Sequence, residues 1–174
     1  MTAVAECAIP RDVDVASASL TLPAVLRSAR QARTFTATSL RLWDESDDLI
    51  EAAVLIVCEL ATNAIQHGAR PPDGAAGEPE PDAVITLRLT RASAVLHIEV
   101  HDGSAVLPVP RTAAGDEDCG RGMAIIAALA ESWTCGRNPG GGKWVRATLP
   151  CAAVAPPTPR PPADRWTPAL PSRW

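Results

Sequence analysis

The spacing of apolar positions changes period several times along the chain, and each change marks an element. Over Asp47–His67 the apolar residues keep to no single stripe. At about 100° per residue, Leu49, Ala53, Ile56, Leu60 and Ala64 cover one side of a helix, while Val54, Cys58, Ala61 and Ile65 cover much of the other. A helix apolar on nearly all sides is a buried one. Acids and capping residues in Trp43–Asp48 announce its start, and Gly68 stops it. Upstream, Val25, Ala29, Ala32 and Phe35 recur among Arg27, Arg30, Gln31 and Arg33, which predicts an amphipathic helix over Ala24–Ser39 with a solvated basic face.

Elsewhere the period is two. Ala83–Thr90 sets Ile85, Leu87 and Leu89 against Thr86 and Arg88; Val95–Asp102 sets Leu96, Ile98 and Val100 against His97, Glu99 and His101. With the short link Arg91-Ala92-Ser93 between them, the two form an antiparallel hairpin. Ala18–Pro23 reads as an edge strand ended by proline. Ser132–Cys135 and Lys143–Leu149 flank the turn Asn138–Gly142, with Trp133 and Trp144 placed to pack across that hairpin. Between the strands, Met123–Ala130 is a short apolar helix opened by Gly120-Arg121-Gly122. Residues 1–16 lack a period and read as a loose arm, 69–82 as a surface loop, and Ser104–Cys119 as a lid-like or disordered loop. The proline-rich segment 151–174 reads as a disordered tail or a short docking segment. The remainder, 17–150, is one α+β domain.

Composition narrows the function. At 174 residues the chain has room for one core. A net charge of −4 and an aromatic content of 3% argue against a nucleic-acid surface. No apolar run reaches the ~20 residues of a membrane span, and no signal core is evident, so a cytoplasmic protein is expected. The five cysteines form no Cys-x-x-Cys pair and read as reduced thiols.

Candidate chemistry begins inside the buried helix. Glu59 and Asn63 lie one turn apart on one flank, and His67 follows one turn later. Burying such groups unpaired costs roughly 2–7 kcal/mol for a neutral one and more for a charge, so something polar must meet this flank. A second layer of hydrogen bonds is one answer; a bound metal–phosphate ligand is the other. By its period Asp102 faces the core at a strand end, although Asp102-Gly103 is also a common turn dipeptide. Glycines at a helix start let phosphate approach backbone N–H groups, although Gly120-Arg121-Gly122 alone fits a plain loop-to-helix junction equally well.

Taken in order, Glu59-x-x-x-Asn63, Asp102-Gly103-Ser104 and Gly120-Arg121-Gly122-Met123 resemble the motifs of the Bergerat-fold ATP-binding domains of the GHKL superfamily, particularly the anti-sigma regulatory serine/threonine protein kinases. The resemblance spans about residues 18–150. It implies a two-layer α/β sandwich with helices on one face of a mostly antiparallel mixed sheet, and ATP with Mg²⁺ as ligands. It further implies that Asn63 binds Mg²⁺, that Glu59 is the base activating a partner's hydroxyl, and that Asp102 and Gly103 receive adenine. Gly120, Arg121, Gly122 and Met123 would meet the phosphates, and His67 would line their far end. The expected partner is a substrate protein or sigma factor, and a homodimer is left open. A module that binds nucleotide and sequesters a partner without phosphotransfer is the competing implication; a detached histidine-kinase-like ATPase domain is a third. One departure is evident: many relatives carry a threonine near adenine in the last strand, where this chain has Gly142-Lys143-Trp144, with Thr148 further on.

Overall fold

In the computed structural model, which describes residues 15–68, 82–108 and 121–152, the elements run β1 (Val15–Pro23), α1 (Leu26–Leu42), α2 (Asp47–Gly68), β2 (Val84–Ala92), β3 (Val95–Asp102), α3 (Arg121–Leu129), β4 (Ser132–Arg137) and β5 (Lys143–Pro150). The strands form one sheet in the order β1-β2-β3-β5-β4, antiparallel at every pairing. The helices cover one face, as the α+β expectation required.

The period of two puts apolar rows beneath the helices. Leu87, Val100 and Val145 are aligned across β2, β3 and β5, as are Leu89, Ile98 and Ala147, and all are buried. α2 presses onto these rows with Ala53, Ile56, Val57, Leu60, Ala61 and Ala64, which are buried on several sides of the helix. Each fully buried Leu or Ile contributes on the order of 1.5–3 kcal/mol, so this contact carries most of the fold. α1 turns small residues inward: Ser28, Ala32, Thr36 and Ser39 are buried. Thr36 Oγ1 donates to the Ala32 carbonyl at 2.9 Å, which removes the cost of burying its hydroxyl.

Local chemistry sets the α1–α2 joint. Asp44 adopts φ 58°, and the Glu45 N–H returns to the Leu40 carbonyl at 3.1 Å, closing α1 in the manner usually left to glycine. Ser46 Oγ then caps α2 by accepting the Leu49 N–H at 3.4 Å.

Several boundaries differ from expectation. β1 starts at Val15, inside the segment read as an arm, because its ladder with β2 continues to Ala92. Its Ala/Ser alternation has too little hydrophobic contrast to announce a strand. Arg91 and Ala92 belong to β2, and the hairpin turns at Ser93 (φ 54°) and Ala94. Val25 precedes α1 in an extended conformation and is 39% exposed, so it does not join Ala29, Ala32 and Phe35 on the inner stripe. The tryptophans do not pair. Trp133 is opposite Ala147 and packs toward the core; Trp144 is opposite Gly136 on the other sheet face. A Cβ on Gly136 would lie 2.7 Å from the Trp144 ring, so glycine there leaves the indole its place. The bulk of the loops expected at 69–82 and 104–119 and of the tail at 151–174 lies outside the described residues, as does Gly120.

Candidate functional site

Long-range packing brings two of the sequence motifs together. α3 begins against the polar flank of α2, and a Cβ built on Gly122 would lie 2.7 Å from Glu59 Oε2 and 3.4 Å from Asn63 Nδ2. Only a residue without a side chain leaves both groups where they are. Glu59 and Asn63 are half-buried, and among the described residues neither makes a side-chain hydrogen bond. Among the described residues no second-layer partner meets either group. Met123 is half-buried against the core, and Arg121 opens the helix. His67 sits exposed on the last turn of α2, and no described contact joins it to Glu59 or Asn63.

The second cluster forms at the end of β3. Asp102 is buried on the helix-facing side, as its period required. Its Oδ1 accepts the Ser104 N–H at 2.8 Å, so the turn role of Asp-Gly is fulfilled as well. The same oxygen accepts from Lys143 Nζ at 2.9 Å. Side-chain exposures of 3% for Asp102 and 7% for Lys143 make this a buried ion pair. Either charge alone there would cost several kcal/mol in desolvation, and pairing offsets that cost. The approach is fixed by backbone: Lys143 is the register partner of Asp102, and Gly142 backs onto the Asp102 carbonyl at φ 78°. A Cβ on Gly142 would stand 2.1 Å from that oxygen. Gly103 is exposed beside the pair.

Lys143, the buried partner of Asp102, is a residue that sequence reading passed over. Its signal was present: counting back by two from Leu149, Ala147 and Val145 puts it on the buried face. Thr148, the other candidate in that strand, is on the opposite face, where its hydroxyl meets His97 Nδ1 at 3.1 Å. That face also carries Glu99, which accepts from His101 Nε2 at 2.6 Å and Arg146 Nε at 2.7 Å. Arg146 stacks over Trp144 at 5.1 Å. Burial alone would raise the pKa of Glu99, but the hydrogen bonds and charges of His101 and Arg146 outweigh it and hold the carboxyl below its ordinary value. Cys58, Cys135 and Cys151 are half-buried free thiols; burial and then the Glu45 charge push the Cys151 thiol up.

Asn63 and Glu59 supply one amide oxygen and one carboxylate, and among the described residues no group of three or more His, Cys, Asp or Glu side chains converges. The Asn63 amide oxygen fits a hard cation that brings its remaining oxygens with it, as Mg²⁺ does with nucleotide phosphates. Among the described residues no helix is long and apolar enough to cross a membrane.

Comparison with known structures finds a similar fold in the crystal structure of the RsbU and RsbW domains of Rv1364c from Mycobacterium tuberculosis, with a TM-score of 0.53 and 18% identity over 79% of this chain and 32% of that one. At that identity the likeness is one of fold. Comparison with curated proteins yields no match. The family model of the histidine kinase-like ATPase domain matches residues 22–149, a span that takes in both clusters, and the chain belongs to that family.

Proposed function

We propose that the protein binds Mg·ATP and transfers its γ-phosphoryl group to a serine or threonine hydroxyl of a partner protein, as a regulatory kinase of a cytoplasmic partner-switching pathway. The observation that carries this reading is the meeting of Gly122 with Glu59 and Asn63, two polar side chains without a described protein partner at a helix start that has no side chain in the way.

In this reading Asn63 holds the cation through its amide oxygen, and Asp102 accepts from the adenine amino group. The cation, when bound with the nucleotide, offsets phosphate charge. Glu59 takes the proton of the attacking hydroxyl. As the new oxygen–phosphorus bond forms, the bond between the γ-phosphorus and the β–γ bridging oxygen breaks, and ADP carries that electron pair away. Such chemistry rests on positioning and on charge, with a base orienting the nucleophile. The retained Glu59 favours catalysis over simple sequestration, since a pure binder needs no base at that position.

The test is incubation with γ-labelled ATP and a candidate partner carrying an acceptor hydroxyl. Label should appear on a partner Ser or Thr, and Glu59→Gln should keep ATP binding while lowering transfer about 10²–10⁴-fold. Tight ATP binding with no transfer from the parent would instead make the protein a nucleotide-dependent binding module.

A further inference from the structure

His101 precedes Asp102 in β3, and the strand's alternation puts its side chain on the sheet face away from the helices. Resting on the ATP-site reading, we propose that His101 is a positioning residue for the adenine subsite: as an imidazolium it holds the β4–β5 turn against Asp102, so that the protonated protein binds ATP more tightly.

Both ring nitrogens of His101 meet acceptors. Nε2 lies 2.6 Å from Glu99 Oε1, and Nδ1 lies 3.1 Å from Asn138 Oδ1. The orientation of the Asn138 amide is fixed at its other end, where Nδ2 donates to the Lys143 carbonyl at 3.2 Å. Turning the amide over would set oxygen against oxygen there, so Oδ1 stays toward the ring. A neutral imidazole carries one N–H and serves one of the two acceptors; the imidazolium carries two and serves both. Glu99 does not supply the second proton. Against its burial, the bonds and charges of His101 and Arg146 hold its carboxyl below the ordinary value.

Asn138 carries this charge state into the turn. Its N–H donates to the Gly142 carbonyl at 3.0 Å and its carbonyl accepts from the Gly141 N–H at 3.1 Å, so three of its bonds span Gly141–Lys143. Those residues reach Asp102 from the far side of the strand. Gly142 backs onto the Asp102 carbonyl, and Lys143 Nζ donates to Oδ1 at 2.9 Å. Loss of the Nδ1 proton turns a ring lone pair toward Asn138 Oδ1, and the tie between β3 and the turn on this face is lost. The carboxylate that receives adenine is then held less firmly.

The neighbours of His101 leave that tie to the proton. Its register partners are Thr86 of β2 and Trp144 of β5. The charged groups on this face are Glu99 and, across from it, Arg88 of β2 and Arg146 of β5, of which Arg146 donates to Glu99 Oε2. His97 stands beyond Glu99 and meets Thr148. On β4, Gly136 and Thr134 face Trp144 and Arg146, while Arg137 is the register partner of Lys143 on the helix-facing side.

Titration calorimetry of the full chain with Mg·ATP across about pH 5 to 8, where histidine side chains change charge, tests this. From the acid to the basic end the parent should lose about tenfold in affinity beyond any change in His101→Gln, which has no proton to give up; comparison at each pH cancels the nucleotide's own titration. Asn138→Ala should flatten the profile in the same way. Superimposable profiles of the parent and His101→Gln overturn the proposal. A second readout needs no variant: Mg·ATP should move the midpoint of the His101 ring-nitrogen NMR titration upward by about one pH unit, the same tenfold seen from the proton's side. A midpoint that ATP leaves in place overturns the proposal. Failure of the parent to bind Mg·ATP at any pH overturns the ATP-site reading along with it; ATP binding indifferent to His101 overturns the role of His101 alone.

Discussion

Two buried ion pairs stand near opposite ends of β3 on the helix-facing side of the sheet, and they differ in what they fasten together. At the end near Leu96, Arg91 donates through Nε to Glu45 and through Nη2 to the Ala152 carbonyl at 2.8 Å. Its exposure is 8%, and that of Glu45 is 4%. The α1–α2 joint, β2 and the chain after β5 are thus fastened at one point, with partners drawn from the chain itself. At the other end, Lys143 and Asp102 are as deeply buried, but they join only neighbouring strands and the turn at Ser104, where the Gly142 backbone presses onto the Asp102 carbonyl. Burial and charge type are the same in both. Reach across three elements makes the Arg91–Glu45 pair a clamp, whereas a buried ion pair alone is weak evidence for a site.

That distinction is broken most easily at the clamp. Arg91→Leu leaves Glu45 charged and buried without its partner and should lower the unfolding free energy by about 3–5 kcal/mol in urea melts. Nucleotide affinity of the folded fraction should not change; a loss there would show that the two ends are not separate. The opposite pattern is expected for Asn63→Ala, with Mg·ATP affinity falling about 100-fold, or 2.7 kcal/mol. Its stability should stay within about 0.5 kcal/mol, because no described protein bond is lost.

The glycines sharpen the comparison further. Gly142→Ala puts a Cβ onto a backbone oxygen at positive φ, which nothing flexible can relieve, and should destabilise the fold by about 1–3 kcal/mol. Gly122→Ala meets the mobile end of Glu59 instead. It should leave the melting temperature nearly unchanged while slowing phosphotransfer about tenfold, or 1.4 kcal/mol. Equal losses of stability in both variants would remove Gly122 from the site.

What the sequence disclosed follows from the range of each signal. α2 was legible because its apolar residues wrap the helix, and Asp102 because a strand's period of two assigns a face to every residue. The meeting of Gly122 with Glu59 was not, since contact between residues so far apart leaves no local pattern; only the family resemblance placed them in one site. Arg91 looked like part of a link because its buried position makes sense only with Glu45, 46 positions away. Lys143 was legible in principle, but a lysine just after a glycine turn reads first as a turn residue.

The exposed sheet face supplies the smallest expected effect. Glu99 is paired with His101 and with Arg146, whose side chain is 41% exposed, so solvent screens much of the attraction. Glu99→Gln should therefore cost only about 0.2–1 kcal/mol near neutral pH. The sign of its pH dependence is fixed by the lowered pKa. The folded state binds the carboxylate's proton less readily than the unfolded chain does, so the stabilisation is complete above the ordinary value of 4.5 and is lost as pH falls through the lower folded value. Parent and Glu99→Gln stabilities should thus converge in acid below that value. A gap that persisted or widened in acid would mean that packing, rather than charge, holds Glu99 in place.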